Sequence, residues 1–418
     1  MNTTFINMYD LLLCISNALD LSTPILVTHH QRVAYLSFTI AKELQLSLED
    51  QKDIYSAAMI HDIGALTVDE KISIARSNHD NLNRHAFIGA DITGTFGPLN
   101  KVAKIIKYHH LPWNHGKGRF YKGDEVPYTS HIINFADTVC NLIKPDIHIL
   151  SQIETILDVL DTRSGDIFDP KLVEFFRTLS KKEYIWLDIM SKSPVDNLIN
   201  IDKLLSYQLD LDDIIDLTHI FSYLIDFRSE FTAVHSAGVA NVAKRLAKLN
   251  NFSETECKMM LIAGYLHDLG KLAIASDILD KPGKLTDDEF DIIRSHTYYT
   301  YQLLSAIPNF QTISSWAAFH HEKLDGTGYP FHLDRRSLSV GSRIMAVADI
   351  FTAITENRPY RKGMSKDETI RVLNSLVENQ SIDGNIVRIT IENYEDLWSI
   401  RETAQSLAEQ RYITYKNY

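Results

Sequence analysis

Apolar residues recur along this chain at helical rather than strand spacing. In AGVANVAKRLAKL (237–249), Val239, Val242, Ala243, Leu246 and Leu249 fall on one helical face. KMMLIAGYL (258–266) is apolar on most sides, which predicts a buried helix. It ends at His267-Asp268-Leu269-Gly270, with glycine as a stop signal. TDDE (286–289) is a capping-box pattern that starts a helix running through His296. Leu204, Leu205, Leu209, Leu211, Ile214, Ile215 and Leu217 predict amphipathic helices within 186–225. No period-two alternation is sustained long enough to build a sheet. The pattern predicts an all-α bundle, apart from short hairpins.

The pattern also repeats. HDIGAL (61–66) matches HDLGKL (267–272) at an offset of 206, which carries His29 onto His235 and Val33-Ala34 onto Val239-Ala240. His109-His110 fall on His320-His321 at an offset of 211. IINFADTVCNLI (132–143) lies over IMAVADIFTAIT (344–355) at 212, so Asp137 falls on Asp349. FDPKLVEFF (168–176) corresponds to IDGNIVRIT (382–390). The chain therefore reads as two copies of one helical fold. The expected boundaries are a first domain over 1–185, a helical linker over 186–225 and a second domain with C-terminal helices over 226–418.

Composition narrows the partners. The formal net charge of −12 argues against a nucleic-acid polymer, which calls for a basic face. A phosphate anion would have to be drawn by local cations. Cys14, Cys140 and Cys257 are too few and too scattered for a disulfide framework, which fits a reducing compartment. MNTTFINMYD has no basic segment followed by an apolar stretch, and no apolar run is long enough to span a bilayer. These features predict a soluble cytoplasmic protein with no membrane partner.

The second copy carries the chemistry. It contains His235, His267, Asp268, His296, His320, His321 and Asp349. Neutral imidazoles and carboxylates are the ligand set of divalent transition metals. The set is too large for one ion, so two is the natural number. Two ions about 3.5–4 Å apart are a recognised device for hydrolysing phosphodiesters. Taken singly, a buried histidine is more often a hydrogen-bonded core residue than a ligand. Asp349 is harder to dismiss, because RIMAVADIFTAI surrounds it with apolar residues. Burying a lone carboxylate costs several kcal/mol unless it is paired or metal-bound. The full set, in order and with a second copy, favours metal.

HDLGK (267–271), HHEKLDGTGYP (320–330) and DIFTAITENRPYR (349–361) resemble the signature of the HD-GYP family, cyclic dinucleotide phosphodiesterases within the HD superfamily. The resemblance spans about residues 220–400, and its central motif is long and mostly fixed. It implies tandem HD-type helical bundles. It implies that the seven residues named above ligate two divalent metals, iron or manganese first and zinc, nickel or magnesium after them, with Asp268 as the bridge. Lys271 would reach the scissile phosphate as cation and acid. Arg358 and Arg361 match positions that hold phosphates. Asp325, Gly326 and Gly328 would form a tight loop beside the metals. Tyr329 would stack on a base, or else pack to fix His320 and His321. The implied reaction opens a 3',5'-linked cyclic dinucleotide, cyclic di-GMP or the hybrid 3',3'-cyclic GMP-AMP, to a linear one. The alternatives are a silent nucleotide sensor or signalling scaffold, or a nucleotidase of the wider superfamily. A homodimer or other signalling proteins are the further partners. One departure bears on stoichiometry. Where the family often reads R-D-x-[YE]-T, this chain has Arg228-Ser229-Glu230-Phe231-Thr232. Phe231 cannot bind metal, which predicts two ions rather than three. Ser229 removes no ligand.

The first copy keeps His29 (or its neighbour His30), His61, Asp62, His85, His109, His110 and Asp137, so by position it can hold metal. It lacks the rest. Ala65 stands where Lys271 stands, LPWNHGKG (111–118) replaces the GYP loop with Asn114 in place of Asp325, and no RPYR segment follows Asp137. The expectation is metal retention without cyclic dinucleotide hydrolysis, in a regulatory, dimerising or structural role. The alternative is a set of histidines packed as remnants in a helical core.

Overall fold

A computed structural model describes residues 6–21, 28–65, 82–198, 207–226, 234–279, 281, 283–357 and 362–416. Helices dominate it. Among the described residues, the strands are two-residue pairs: Ile6–Asn7 with Gln208–Leu209, and Phe120–Tyr121 with Asp124–Glu125, both antiparallel. The all-α architecture expected from the spacing is what the chain adopts. No described helix is long and apolar enough to cross a membrane.

Chain contacts divide the molecule into two units, residues 15–207 and residues 1–14 with 208–418. The N-terminal unit is built on helices His29–Glu43, Leu48–Met59, Leu82–Gly94, Asn100–Lys107 and Tyr128–Leu142. Its counterpart is built on His235–Leu249, Glu254–Leu266, Asp287–Ser305, Gln311–Ala318 and Val340–Thr355. Three pairs of starts, 29 and 235, 48 and 254, and 100 and 311, reproduce the offsets of 206 and 211 read from the sequence. The packing repeats as well. In each unit the first helix packs on the second and the fifth, and the third packs on the fourth.

Local chemistry explains the boundaries. Thr286 caps the helix Asp287–Ser305 in a full capping box with Glu289, as TDDE predicts, and Ser253 with Glu256 does the same for Glu254–Leu266. Such caps are worth about 1 kcal/mol each. Asp169 and Asp383 cap matching helices in the two units, accepting from Lys171 N and Asn385 N. Val239, Val242, Ala243 and Leu246 are buried as their spacing requires, while Leu249 is only partly so. The amphipathic-helix expectation holds over Leu211–Asp226, whose Ile214, Leu217, Ile220, Phe221 and Leu224 are buried at i+3 and i+4 steps, in a helix that belongs to the C-terminal unit. Leu209 departs from it, because it pairs with Ile6 as a strand residue. Leu204 and Leu205 lie outside the described residues.

Candidate active site

In the C-terminal unit, five segments bring the candidate residues to one place. The helix Glu254–Leu266 ends at His267, whose Nδ1 donates to the carbonyl of Gly264 at 2.7 Å. His296 and His320 do the same to Ile293 and Ala317, each at 2.6 Å. A carbonyl only accepts, so in all three rings the proton sits on Nδ1 and Nε2 keeps a free lone pair. Those lone pairs converge on Asp268. Its Oδ2 lies 3.2 Å from His267 Nε2 and 2.6 Å from Lys271 Nζ. Its Oδ1 lies 3.3 Å from His296 Nε2 and 4.0 Å from His320 Nε2. Each carboxylate oxygen faces its own cluster of donors, as a bridging ligand must. His235 Nε2 meets Asp349 Oδ1 at 3.0 Å. The ring of His321 stands 4.2 Å from that of His320.

Backbone proximity depends on one glycine. A Cβ at Gly270 would lie 1.9 Å from the carbonyl oxygen of His296. Gly270 N donates to Thr300 Oγ1 at 2.9 Å, and that hydroxyl donates to His267 O at 3.1 Å. The missing side chain lets the helix Asp287–Ser305 come close enough for His296 to reach Asp268.

The donor set fits metal. His267 Nε2 and Asp268 Oδ1 are buried with no hydrogen-bond partner among the described residues. His296 Nε2 and His320 Nε2 face each other at 3.4 Å with their protons already committed elsewhere. Opposed lone pairs in a buried site are costly, and a cation between them removes the cost. Ligand atoms of His235, His267 and Asp268 lie within 4.8 Å of one another, and so do those of His296, His320 and His321. Electrostatics agrees. Burial pulls Asp268 upward, but His267 and then Lys271 outweigh it and hold the carboxyl well below its usual range. Burial pulls Asp349 upward too, and His235 overrides it. Burial and His321 push His320 well down, and burial takes His321 down to about 4. Asp268 and Asp349 as anions, with His320 and His321 as neutral imidazoles, are in the protonation states of ligands. Burial works against a charged His235, yet Glu356 and then Asp349 raise it to about 10.

Glu356 was not among the residues expected from sequence. It is buried, and its Oε2 lies 3.1 Å from His235 Nδ1. It also accepts from Gln405 Nε2 at 2.8 Å, and Gln405 Oε1 accepts from Arg401 at 2.6 Å. A carboxylate behind a histidine fixes which nitrogen faces the metal and strengthens it as a ligand. Its spacing of seven residues after Asp349 puts it on the same helical side, but nothing local marks it as more than a surface glutamate. Glu322 was also missed as a separate part. Its carboxylate accepts from Phe331 N at 2.6 Å and Leu333 N at 2.9 Å, which staples the loop to the His320-His321 segment.

The loop itself is tight. Gly326 has φ +77°, and a Cβ at Gly328 would lie 2.4 Å from Glu322 Cα. Asp325 is exposed and closes the turn, accepting from Thr327 N and Oγ1 at 2.9 and 2.8 Å. The ring of Tyr329 lies 5.0 Å from that of His321, with the guanidinium of Arg294 5.1 Å from its centre. Phe231, Arg358 and Arg361 lie outside the described residues.

The N-terminal unit repeats the constellation. His29 Nε2 meets Asp137 Oδ1 at 3.1 Å, which makes His29 the counterpart of His235. His61 and His109 donate through Nδ1 to Ala58 O and Ile106 O at 2.8 and 2.7 Å. Asp62 Oδ2 lies 3.3 Å from His61, and Oδ1 lies 3.2 Å from His85 and 3.8 Å from His109. His110 Nε2 and His85 Nε2 face each other at 3.1 Å. A Cβ at Gly64 would lie 2.1 Å from His85 O, so the glycine device recurs. Burial raises Asp62, but His61 outweighs it and keeps the carboxyl well below its usual range. Ala65 is buried and offers no cation. The backbone N–H groups of Trp113, Asn114 and His115 donate to the carbonyls of Ile167, Asp166 and Gly165, in place of a Glu322-type staple.

Two segments match the family described as HD domain, residues 26–162 and residues 219–386. The chain is similar to a 3'3'-cGAMP-specific phosphodiesterase of Vibrio cholerae serotype O1, 28% identical over 94% of each chain. Over 34% of each chain it is 39% identical to a cyclic di-GMP phosphodiesterase of Pseudomonas aeruginosa. In fold it resembles the crystal structure of a cyclic GMP-AMP specific phosphodiesterase from V. cholerae, with a TM-score of 0.63 and 24% identity, covering 97% of this chain and 99% of that one.

Proposed function

The chain belongs to the HD-domain superfamily in both of its units, and on that premise we propose that the C-terminal unit is a metal-dependent phosphodiesterase that opens a cyclic dinucleotide to its linear form. The observation that carries this reading is Asp268, with one carboxylate oxygen facing each donor cluster and Lys271 Nζ 2.6 Å away. His267, His235 and Asp349 would hold one divalent ion, and His296, His320 and His321 the other, with Asp268 shared. When bound there, such a pair supplies Lewis acidity to the phosphate oxygens and acidifies the attacking water.

The chain's own groups do the rest. Lys271 is partly exposed, so its ammonium can meet the phosphate from the open side of the site. As water adds to phosphorus and the P–O3' bond breaks, the leaving oxygen takes a proton, and Lys271 is the group placed to give it. Glu356 holds His235 by Nδ1 and so aims Nε2 at the ion. Glu322 holds the loop, and Tyr329 closes against His321 and offers its outer edge to a base. Arg358 and Arg361 complete the phosphate contacts in this reading. Iron or manganese suits an oxygen- and imidazole-rich set of this size. Three cysteines kept as buried thiols support a cytoplasmic setting.

Of the two candidate substrates, we favour the hybrid 3',3'-cyclic GMP-AMP. The relative named for that substrate aligns with both units, whereas the relative named for cyclic di-GMP aligns with only 34% of the chain. The test is direct. Purified protein loaded with Mn(II) or Fe(II) is incubated with the hybrid, cyclic di-GMP and cyclic di-AMP, beside Asp268→Ala. Loss of turnover in Asp268→Ala is expected, with the hybrid cleaved fastest. Equal hydrolysis by both proteins would overturn the site, and faster cleavage of cyclic di-GMP would overturn the choice of bases.

A further inference from the structure

We infer that the N-terminal unit holds a metal pair of its own, and that His30 is an added ligand which closes the coordination sphere on one side of Asp62 and leaves that pair hydrolytically silent. The inference stands apart from the C-terminal reaction. His30 Nδ1 donates to Asp20 Oδ1 at 2.6 Å. Its Nε2 is buried with no hydrogen-bond partner among the described residues and lies 4.0 Å from Asp62 Oδ2. The ring stands 5.1 Å from that of His61 and 5.5 Å from that of His29. Ligand atoms of His30, His61 and Asp62 fall within 4.8 Å of one another. Asp20 behind His30 is the arrangement that orients a metal-ligating imidazole. It parallels Glu356 behind His235.

The contrast with the other copy gives the functional content. At the offset of 206, His30 falls on Ser236, a buried residue whose hydroxyl has no hydrogen-bond partner among the described residues. The carboxylate oxygen that faces Lys271 in one copy faces His30 in the other. A cation that meets phosphate is exchanged for a nitrogen that binds metal. An ion beside Asp62 Oδ2 then has His29, His30, His61 and Asp137 with Asp62, five donors against four in the C-terminal unit. Metal centres that catalyse hydrolysis keep positions open for water and substrate, and structural ones fill them. A packed-core histidine would instead have its second nitrogen satisfied. So would His61 Nε2, His109 Nε2 and Asp62 Oδ1, which are equally without hydrogen-bond partners among the described residues.

The full chain carrying His267→Ala, Asp268→Ala, His296→Ala and His320→Ala, which removes donors of both C-terminal ions, reports on the N-terminal unit. It is loaded with Mn(II), desalted and assayed for metal by plasma mass spectrometry, then for release to excess EDTA. About two ions per chain are expected, as for other paired sites. His30→Ser, the residue of the matched position, should lose one ion or release it at least about tenfold faster, and Asp20→Asn should speed release by about tenfold. A parent that holds no metal while folded overturns the site. Retention by His30→Ser identical to the parent overturns the closure. If His30→Ser fails to fold, Asp20→Asn decides, and unchanged release overturns the assignment.

Discussion

Glu356→Gln tests how the C-terminal site is held together. The substitution keeps the size of the side chain and removes its charge. Glu356 Oε2 accepts two hydrogen bonds, from His235 Nδ1 and Gln405 Nε2 at 3.1 and 2.8 Å. A glutamine oxygen in the place of Oε2 can still accept from both donors, but the negative charge behind His235 is gone. The position is buried, so water cannot replace that charge. Loss of the carboxylate behind a metal-binding histidine costs roughly 10–100-fold in metal affinity. Burial of the lost charge argues for the upper end, which is about 2.7 kcal/mol at 1.36 kcal/mol per decade. The assay is hydrolysis against free Mn(II) set by a chelator buffer. The half-saturating concentration should rise by about 100-fold, with kcat at saturating metal within about threefold of wild type. A general loss of structure would lower kcat at every metal concentration. An unchanged half-saturation would show that Glu356 does not support the metal, and the reading of His235 as its client would fall.

Lys271→Ala, which installs the residue found at Ala65, should lower kcat by about 10²–10⁴-fold while metal content stays at the wild-type level; metal loss in step with activity would refute a role in phosphate handling. Gly270→Ala places a Cβ 1.9 Å from His296 O. Overpacking of this kind costs at least about 1–3 kcal/mol, a fall of roughly 2–12 °C in Tm for a unit of this size, and a variant melting like wild type would refute the close approach. The metal-stripped chain should also show a pH dependence of known sign. His235 and His61 are raised to about 10 and about 9 in the folded state, in spite of burial, by neighbouring carboxylates. Unfolded histidine titrates near 6.5, so this stabilisation is full below about pH 6.5 and is lost as pH rises through about 9–10. Urea midpoints should therefore fall between neutral and alkaline pH, and a flat profile would contradict the pairing.

Much of this was legible in the sequence. Helical spacing gave the bundle because apolar periodicity reports burial directly. The offsets of 206 and 211 located matching helices because the same core must be filled twice. Histidines and aspartates appeared as candidates because few other side chains bind divalent ions. What stayed hidden depends on three-dimensional neighbours. Nothing local distinguishes Glu356 from a surface glutamate, and its role exists only because the helix Tyr394–Lys416 brings Gln405 to it. Leu209 reads as one more apolar residue of a helical stretch, yet Ile6, distant in sequence, takes it into a strand pair. His29 and His30 were interchangeable in the sequence. The contacts to Asp137 and Asp20 separate them.

The two copies also separate two tasks that the catalytic unit performs together. Both keep Gly64 or Gly270, both aim histidine Nε2 atoms inward by tying Nδ1 to a carbonyl, and both set one aspartate between two donor clusters. These features serve metal binding alone. The differences fall on the phosphate side: Lys271 against Ala65, and the Glu322-stapled loop against a segment pinned to Gly165–Ile167. A unit that had merely decayed would have no reason to keep unsatisfied, buried nitrogen lone pairs, since each is destabilising without a cation. The N-terminal unit has instead gained one, on His30, with Asp20 to hold it. On the inference drawn for the N-terminal unit, metal holding and phosphate handling separate on this scaffold, and the residues that distinguish them lie around the same aspartate.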